Sequence, residues 1–353
     1  MQNNSAIYEL INEKKMMLAQ EITGLQFQQY PELEIKYGKA GKDKCLEDAQ
    51  YHLTYLAESI RANSKPIFTA YIEWAKTMLE AREIPFQDLI NNLGLMELVC
   101  RRILPPQHSA IVTEYIQLVL MPSESIEPTP STFLTATNPL LQEATTYLSL
   151  LLEGNRSEAQ ALVSGLVQNG QPVAAIYEHI FQPSQYEVGR LWQTNQITVA
   201  HEHYCTAATQ LIMATLYPYI FKTEKNGCKM LACTVSGDLH EMGIRMVADY
   251  FELDGWDTYY MGASMPEANI LTAIMEQKAQ LLAISATMPF HISKVEAIIK
   301  KVRSRVENNR VKIIVGGYPF ALEPDLWKRT GADGYAVNAR EAIALANKLI
   351  NLN

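Results

Sequence analysis

The sequence predicts an all-α N-terminal domain, then a four-helix bundle, then an α/β Rossmann-like (flavodoxin-like) domain with a parallel five-stranded sheet. Three observations carry this. Beyond residue 225, five short apolar runs alternate with helical segments, the pattern of parallel strands joined by right-handed crossovers. Upstream of about residue 222 the chain reads as helices only. Between two helical stretches, Pro122, Pro128, Pro130 and Pro139, with Ser and Thr around them, mark a linker. The expected organisation is a helical domain over 1–121, a linker over 122–138, a bundle over 139–224 and the α/β domain over 225–353.

Taken in order, helices are expected near 5–24, 43–63, 65–81, 86–104 and 108–121. The bundle helices are expected over Leu140–Glu153, Ser157–Gln168, Val173–Gln193 and Thr198–Ile220. Gly154, the run Asn169-Gly-Gln-Pro172 and a turn at Asn195 break them, and Ser157 and Thr198 are candidate N-caps. Short turns between four helices suggest a bundle. Strands are expected at Lys229–Val235, Asp257–Met261, Leu281–Ser285, Val311–Val315 and Gly334–Val337, with helices between them near 267–278, 290–307, 320–329 and 339–350.

The chain has 353 residues, a net charge of −8 and a pI near 5.5, which together oppose a nucleic-acid-binding surface. Lys300, Lys301, Arg303 and Arg305 read as the solvated face of one helix. Five cysteines (45, 100, 205, 228 and 233) show no paired spacing. With no signal peptide and no long apolar span, a cytoplasmic protein free of membrane is expected.

The segment richest in chemistry is Ser236-Gly-Asp-Leu-His-Glu-Met-Gly243. It follows an apolar strand and precedes an amphipathic helix carrying Ile244, Met246, Val247, Tyr250 and Phe251. An Asp-x-His-x-x-Gly loop therefore sits at the carboxyl end of a strand, where open α/β sheets bind ligands. An imidazole can ligate a metal, a carboxylate can hold its other ring nitrogen, and Gly lets backbone approach a bulky group. This loop resembles the signature of cobalamin-binding domains. That resemblance implies His240 as the lower cobalt ligand, supported by Asp238 and Gly243. It also implies that Ser285 and Thr287 after the third strand, with Gly316 and Gly317 after the fourth, line the slot for the nucleotide tail.

Upstream, Trp192, nine residues, then Glu202-His203 resembles the cap of light-sensing cobalamin proteins. There the Trp covers the upper face of the corrin, with Glu and His beside the upper ligand. Gln193 stands where the best-known members carry a His that ligates cobalt after photolysis, so that photoproduct is not implied here. His201 is another imidazole nearby.

The N-terminal domain lacks a basic helix-turn-helix. Asp48 and His52 stand at i and i+4, with Tyr51, Tyr55, Phe68, Tyr71 and Trp74 close in sequence and Arg61 as a further polar neighbour. His52 is either a core residue with a satisfied hydrogen bond or part of a tetrapyrrole pocket. The domain order is similar to that of photocobilins, which implies a bilin such as biliverdin as a second chromophore. Cys45 or Cys100 would be its point of attachment if it were covalently held.

The expected function is thus a non-enzymatic light sensor. Photolysis of the upper ligand of adenosylcobalamin or methylcobalamin would move the cap and change assembly, with a signalling protein as partner and a homo-oligomer as the expected state. The alternative is a corrinoid carrier for methyl transfer, in which His240 cycles on and off cobalt. An isomerase-type enzyme is disfavoured, because no substrate barrel of ~250 residues fits in the remaining chain.

Overall fold

The computed structural model describes residues 2–120, 130–305 and 311–351, so residues 122–129 of the linker expected over 122–138 lie outside the described residues. The chain divides into two compact units, Met1–Pro128 with Met288–Ser293, and Thr129–Thr287 with Lys294–Asn353.

The first unit is helical: α1 (Gln2–Gln29), α2 (Glu32–Arg61), α3 (Lys65–Glu80), α4 (Phe86–Ile103) and α5 (Pro106–Leu120). Ile7, Ile11, Leu18 and Ile22 share one face of α1. They meet Leu53, Leu56 and Ile60 of α2 and Leu93, Met96 and Val99 of α4 in one buried cluster. Helix α2 starts well before the expected residue 43. Its first turns carry Lys, Glu and Gly with few apolar residues, which hides helical periodicity. Gly38, at φ 60° and ψ −164°, breaks it internally with a conformation open mainly to glycine.

The second unit begins with the bundle: α6 (Leu141–Leu152), α7 (Arg156–Gln168), α8 (Val173–Ile176), α9 (Gln182–Gln193), α10 (Val199–Ala214) and α11 (Tyr217–Ile220). A π-helical turn, Tyr177–Phe181, joins α8 to α9 without leaving the helical path. The expected helix Thr198–Ile220 stops at Ala214. Pro218 explains this: in a continuous helix its ring would clash with the carbonyl of Ala214, four residues back. Ser157 is not the cap of α7, which starts one residue earlier, whereas Thr198 does cap α10.

The rest of the unit is α/β: β1 (Lys229–Val235), α12 (Met242–Leu253), β2 (Asp257–Met265), α13 (Glu267–Gln277), β3 (Leu281–Ser285), α14 (Ile292–Arg305), β4 (Lys312–Gly316), α15 (Tyr318–Leu322), α16 (Leu326–Thr330), β5 (Gly334–Tyr335) and α17 (Ala339–Leu349). All pairings are parallel, in the order β2-β1-β3-β4-β5. This is the flavodoxin-like order, with its switch point between β1 and β3, and it bears out the expected fold class. Strand β1 is buried on both sides from Met230 to Val235, as a central parallel strand must be. Strand β2 runs four residues past its expected end. A bulge at Met261 shifts its register, so that Ala232 pairs with Tyr260 and Cys233 with Gly262.

Helix α12 has two apolar faces. Ile244, Ala248 and Phe251 pack on the sheet with Trp256, while Met246 and Tyr250 enter the core of the bundle. Tyr177 of the π turn donates to Asp249 Oδ2 at 2.8 Å, and Tyr250 donates to the Ala174 carbonyl at 2.7 Å. Bundle and sheet therefore share α12. Among the described residues, no helix is long and apolar enough to cross a membrane.

Candidate functional site

The site is built around Asp238, whose carboxylate is fully buried at the end of β1. Leaving such a group without partners would cost several kcal/mol, so its hydrogen bonds decide whether the loop can exist. Oδ2 accepts from the Thr287 backbone N–H at 2.7 Å. Oδ1 accepts from the His240 backbone N–H at 3.1 Å and from His240 Nδ1 at 3.0 Å. The Asp238 carbonyl accepts from Thr234 Oγ1 at 2.7 Å and from Ser264 N–H at 3.0 Å. Strands β1, β2 and β3 thereby hold one aspartate, and the aspartate holds one imidazole.

The His240 side chain is 58% exposed although its partner is buried. The hydrogen bond from Asp238 raises the imidazole pKa against the lowering effect of partial burial. Charges on Asp238 and on Glu202 act in the same direction, which places the carboxylate of the bundle's α10 within electrostatic reach of this loop. With Nδ1 engaged, Nε2 is the ring nitrogen available to a metal. Gly243 lies at the start of α12, and a Cβ added there would meet no atom within 4 Å. Protein packing thus gives no reason for glycine at 243.

The other expected slot residues converge on the same edge. Thr234, Ser285 and Gly316 are register partners across β1, β3 and β4. Gly317 has φ 102°, and a Cβ there would lie 2.1 Å from the Ala286 carbonyl oxygen, so only glycine fits between the ends of β3 and β4. Asp238, His240, Ser285, Thr287, Gly316 and Gly317 are therefore brought together at the switch point. Among the described residues no three His, Cys, Asp or Glu side chains converge as a metal site.

In the bundle, Trp192 is half-buried on the last turn of α9. Glu202, on the first turn of α10, hydrogen-bonds to His203 Nδ1 and accepts from Thr206 Oγ1 at 3.3 Å. His203 itself is 76% exposed. His201 is structural, since its Nδ1 meets Thr198 Oγ1 at 2.8 Å and closes the N-terminus of α10.

In the first unit, His52 is buried and its Nδ1 lies 2.7 Å from Tyr71 Oη. Tyr71 in turn stacks on Tyr55 with ring centroids 3.7 Å apart. Burial lowers the His52 pKa to about 4, so the ring is neutral. This is the arrangement of a core histidine, with its ring nitrogen engaged by Tyr71. Arg61 pairs with Glu58. Burial raises the thiols of Cys45 and Cys100 to about 11 and about 12, which leaves both protonated and poor nucleophiles.

Several residues here carry no signal in the motifs: Thr234, Ser264, Gln210, Glu241 and Tyr260. Thr234 alone could have been found from sequence, since a hydroxyl inside an otherwise apolar central strand must find a partner.

Comparison with known proteins bears on this geometry. Residues 228–344 match the B12 binding domain family, and residues 143–217 match a second B12 binding domain family. The dimethylamine corrinoid protein 1 of Methanosarcina mazei is 27% identical over 222 residues, which are 62% of this chain and 99% of that protein. A corrinoid protein of Desulfitobacterium hafniense is 26% identical over 169 residues, 46% of this chain and 76% of that protein. Among solved structures, the monomethylamine corrinoid protein of Methanosarcina barkeri superimposes with a TM-score of 0.53 at 19% identity, covering 61% of this chain and 100% of that one, a likeness of fold.

The chain thus carries cobalamin-binding domains and resembles corrinoid proteins. These relatives overturn the light-sensor expectation. A helical bundle before the sheet is common to the corrinoid proteins, so the Trp192, Glu202, His203 spacing does not single out light sensing. Gln193 already departed from the photoreceptor pattern, and nothing in these matches supports a bilin.

Proposed function

We propose that this chain is a corrinoid carrier for methyl transfer, with His240 as the lower cobalt ligand. The observation that carries the reading is the pairing of a fully buried Asp238 with a solvent-facing His240 at the switch point. When bound, the corrinoid supplies a cobalt centre that accepts and releases a methyl group.

The chain's own residues do the rest. Asp238 holds Nδ1–H and so fixes the tautomer in which Nε2 is the donor to metal. Thr287 N–H and Ser264 N–H keep Asp238 from following His240 if the imidazole leaves the metal. Ser285, Gly316 and Gly317 line the slot between β3 and β4 that receives the nucleotide tail. Trp192 would cover the bound corrinoid from the bundle side, with Glu202 and His203 beside it. The N-terminal unit lies outside the two matched families. The boundaries expected from sequence, 1–121, 139–224 and 225–353, are retained as this functional division.

The test loads the full chain with cobalamin, reduces it, and offers it to methyltransferases acting on methylamine, dimethylamine or methanol. Methylation of the bound cofactor, seen as its absorbance change, is expected with one of them. Tight cobalamin binding with no methylation by any of the three would overturn the carrier reading.

A further inference from the structure

The loop that presents His240 is anchored on both sides, and the two anchors differ. On the amino side Asp238 is held by Thr234, Ser264 and Thr287, all on the sheet's own strands or their ends. On the carboxyl side stands Glu241. It occupies the N-cap position of α12, where an acid is favoured by the helix dipole, yet its side chain makes no capping hydrogen bond. Instead Gln210 Nε2 of α10 donates to Oε1 at 2.9 Å, and Tyr260 Oη of β2 donates to Oε2 at 2.9 Å.

The backbone is shaped for this. The bulge at Met261 offsets Tyr260 from Gly262 in the β1 register. Gly262 has φ 80°, and a Cβ there would lie 3.2 Å from Glu241 Oε2, so a side chain at 262 would crowd the carboxylate. Both oxygens are thus used, one toward the bundle and one toward the sheet.

From this geometry we infer that Glu241 is a positioning residue that ties the His240 loop to helix α10, so that the placement of the bundle sets how well His240 reaches cobalt. The inference rests on the reading of His240 as the cobalt ligand. Glu241 is adjacent to His240 and bonds directly to the bundle. A displacement of α10 that strained the Gln210 bond would be felt one residue from the imidazole. A side chain that only capped α12 would show no dependence on Gln210.

The experiment uses the full chain labelled with ¹⁵N-histidine and loaded with cob(II)alamin. The electron paramagnetic resonance spectrum then distinguishes a protein imidazole on cobalt, which gives a doublet splitting, from the cofactor's own base, which gives a triplet. Glu241→Ala should lower the ratio of His-on to His-off cofactor about tenfold, the lower end for loss of a partner that orients a metal ligand. Gln210→Ala, a mild change on a half-buried face, should lower it about threefold. Glu241→Gln, which can still bridge Tyr260 and a flipped Gln210, should stay within about twofold of wild type.

His240→Ala is run in parallel and should abolish the doublet. If it does while Gln210→Ala and Glu241→Ala both keep the wild-type ratio, the tether is wrong and the His240 reading stands. If the doublet survives His240→Ala, the His240 reading fails and the tether falls with it.

Discussion

Two histidines in this chain each engage Nδ1 with one side chain, and they have opposite characters. His52 is buried in the helical N-terminal unit, faces a neutral Tyr71 hydroxyl and has its pKa lowered to about 4. His240 lies on a loop at the end of β1, faces a carboxylate and has its pKa raised. In the first pair the ring is buried and its partner is a neutral phenol. In the second the ring is 58% exposed and the partner fully buried. A buried imidazole with a neutral partner fills a core. An exposed imidazole oriented by a buried anion is the arrangement that the role proposed for His240 needs.

The strongest way to break this contrast is to remove each ring in turn. His240→Ala should weaken cobalamin retention by about 10- to 100-fold and abolish the His-ligated spectrum, as loss of a metal ligand or its support does. His52→Gln should leave both unchanged. Equilibrium dialysis with absorbance spectra checks this, and a cobalamin effect of His52→Gln comparable to that of His240→Ala would collapse the distinction.

A smaller effect concerns Trp192. Trp192→Ala should weaken binding of adenosylcobalamin more than that of hydroxocobalamin, because only the former has a large group to cover, by about tenfold against about twofold. Equal losses in the two titrations would make Trp192 a purely structural residue of the bundle.

The pH dependence of stability sharpens the contrast from the other side. The folded pKa of His52, about 4, lies below the unfolded value near 6.5. As pH falls, the unfolded chain takes the proton first, so stability is lost between about pH 6.5 and pH 4. The wild-type stability relative to His52→Gln should therefore shrink from pH 7 to pH 5 by about 2 kcal/mol, read from urea unfolding of the full chain. Asp48, raised to about 6 in the same unit, has the opposite dependence but is common to both proteins and cancels in the difference. A difference that is flat with pH would show that His52 is not held neutral.

A pH effect of opposite sign is expected at Asp249, between α12 and the bundle, whose pKa burial raises to about 6. An acid with a raised folded pKa loses stability as pH climbs from about 4 to about 6, because the unfolded chain releases the proton first. Asp249→Asn keeps a group that can accept from Tyr177 and should stabilise the protein at pH 7 by about 3 kcal/mol. It should have no effect at pH 4. A loss of stability at pH 7 would mean that the negative charge is needed there.

Much of the α/β part was legible in the sequence because parallel strands are buried on both faces and stand out as apolar runs. Lys229–Val235 and Leu281–Ser285 appear with their expected ends. The continuation of β2 through Gly262 and Ser264 was not legible, since small polar residues read as loop and the strand persists through pairing with β1. The Asp238–His240 pair was visible as a motif. Its anchors were not, because Thr287 and Ser264 reach Asp238 through backbone N–H groups, which leave no trace in side-chain identity. Gln210 and Glu241 are 31 positions apart and meet only once the bundle has packed on α12. The two readings of His52 stayed open for a related reason: composition says which rings are near in sequence, and only packing shows Tyr71 Oη at its Nδ1.

The π-helical turn at Tyr177–Phe181 has a consequence for the face of the bundle. Such a turn accommodates one residue more than the regular helix would hold, and each helical residue rotates the chain by about 100°. The azimuth at which α9 displays Trp192 is therefore set several turns upstream of it. Deleting a single residue from that turn would leave every contact amino-terminal to it in register and swing Trp192 to another side of the bundle. The turn acts as a phase offset between the part of the helix that grips α12 and the part that carries the tryptophan.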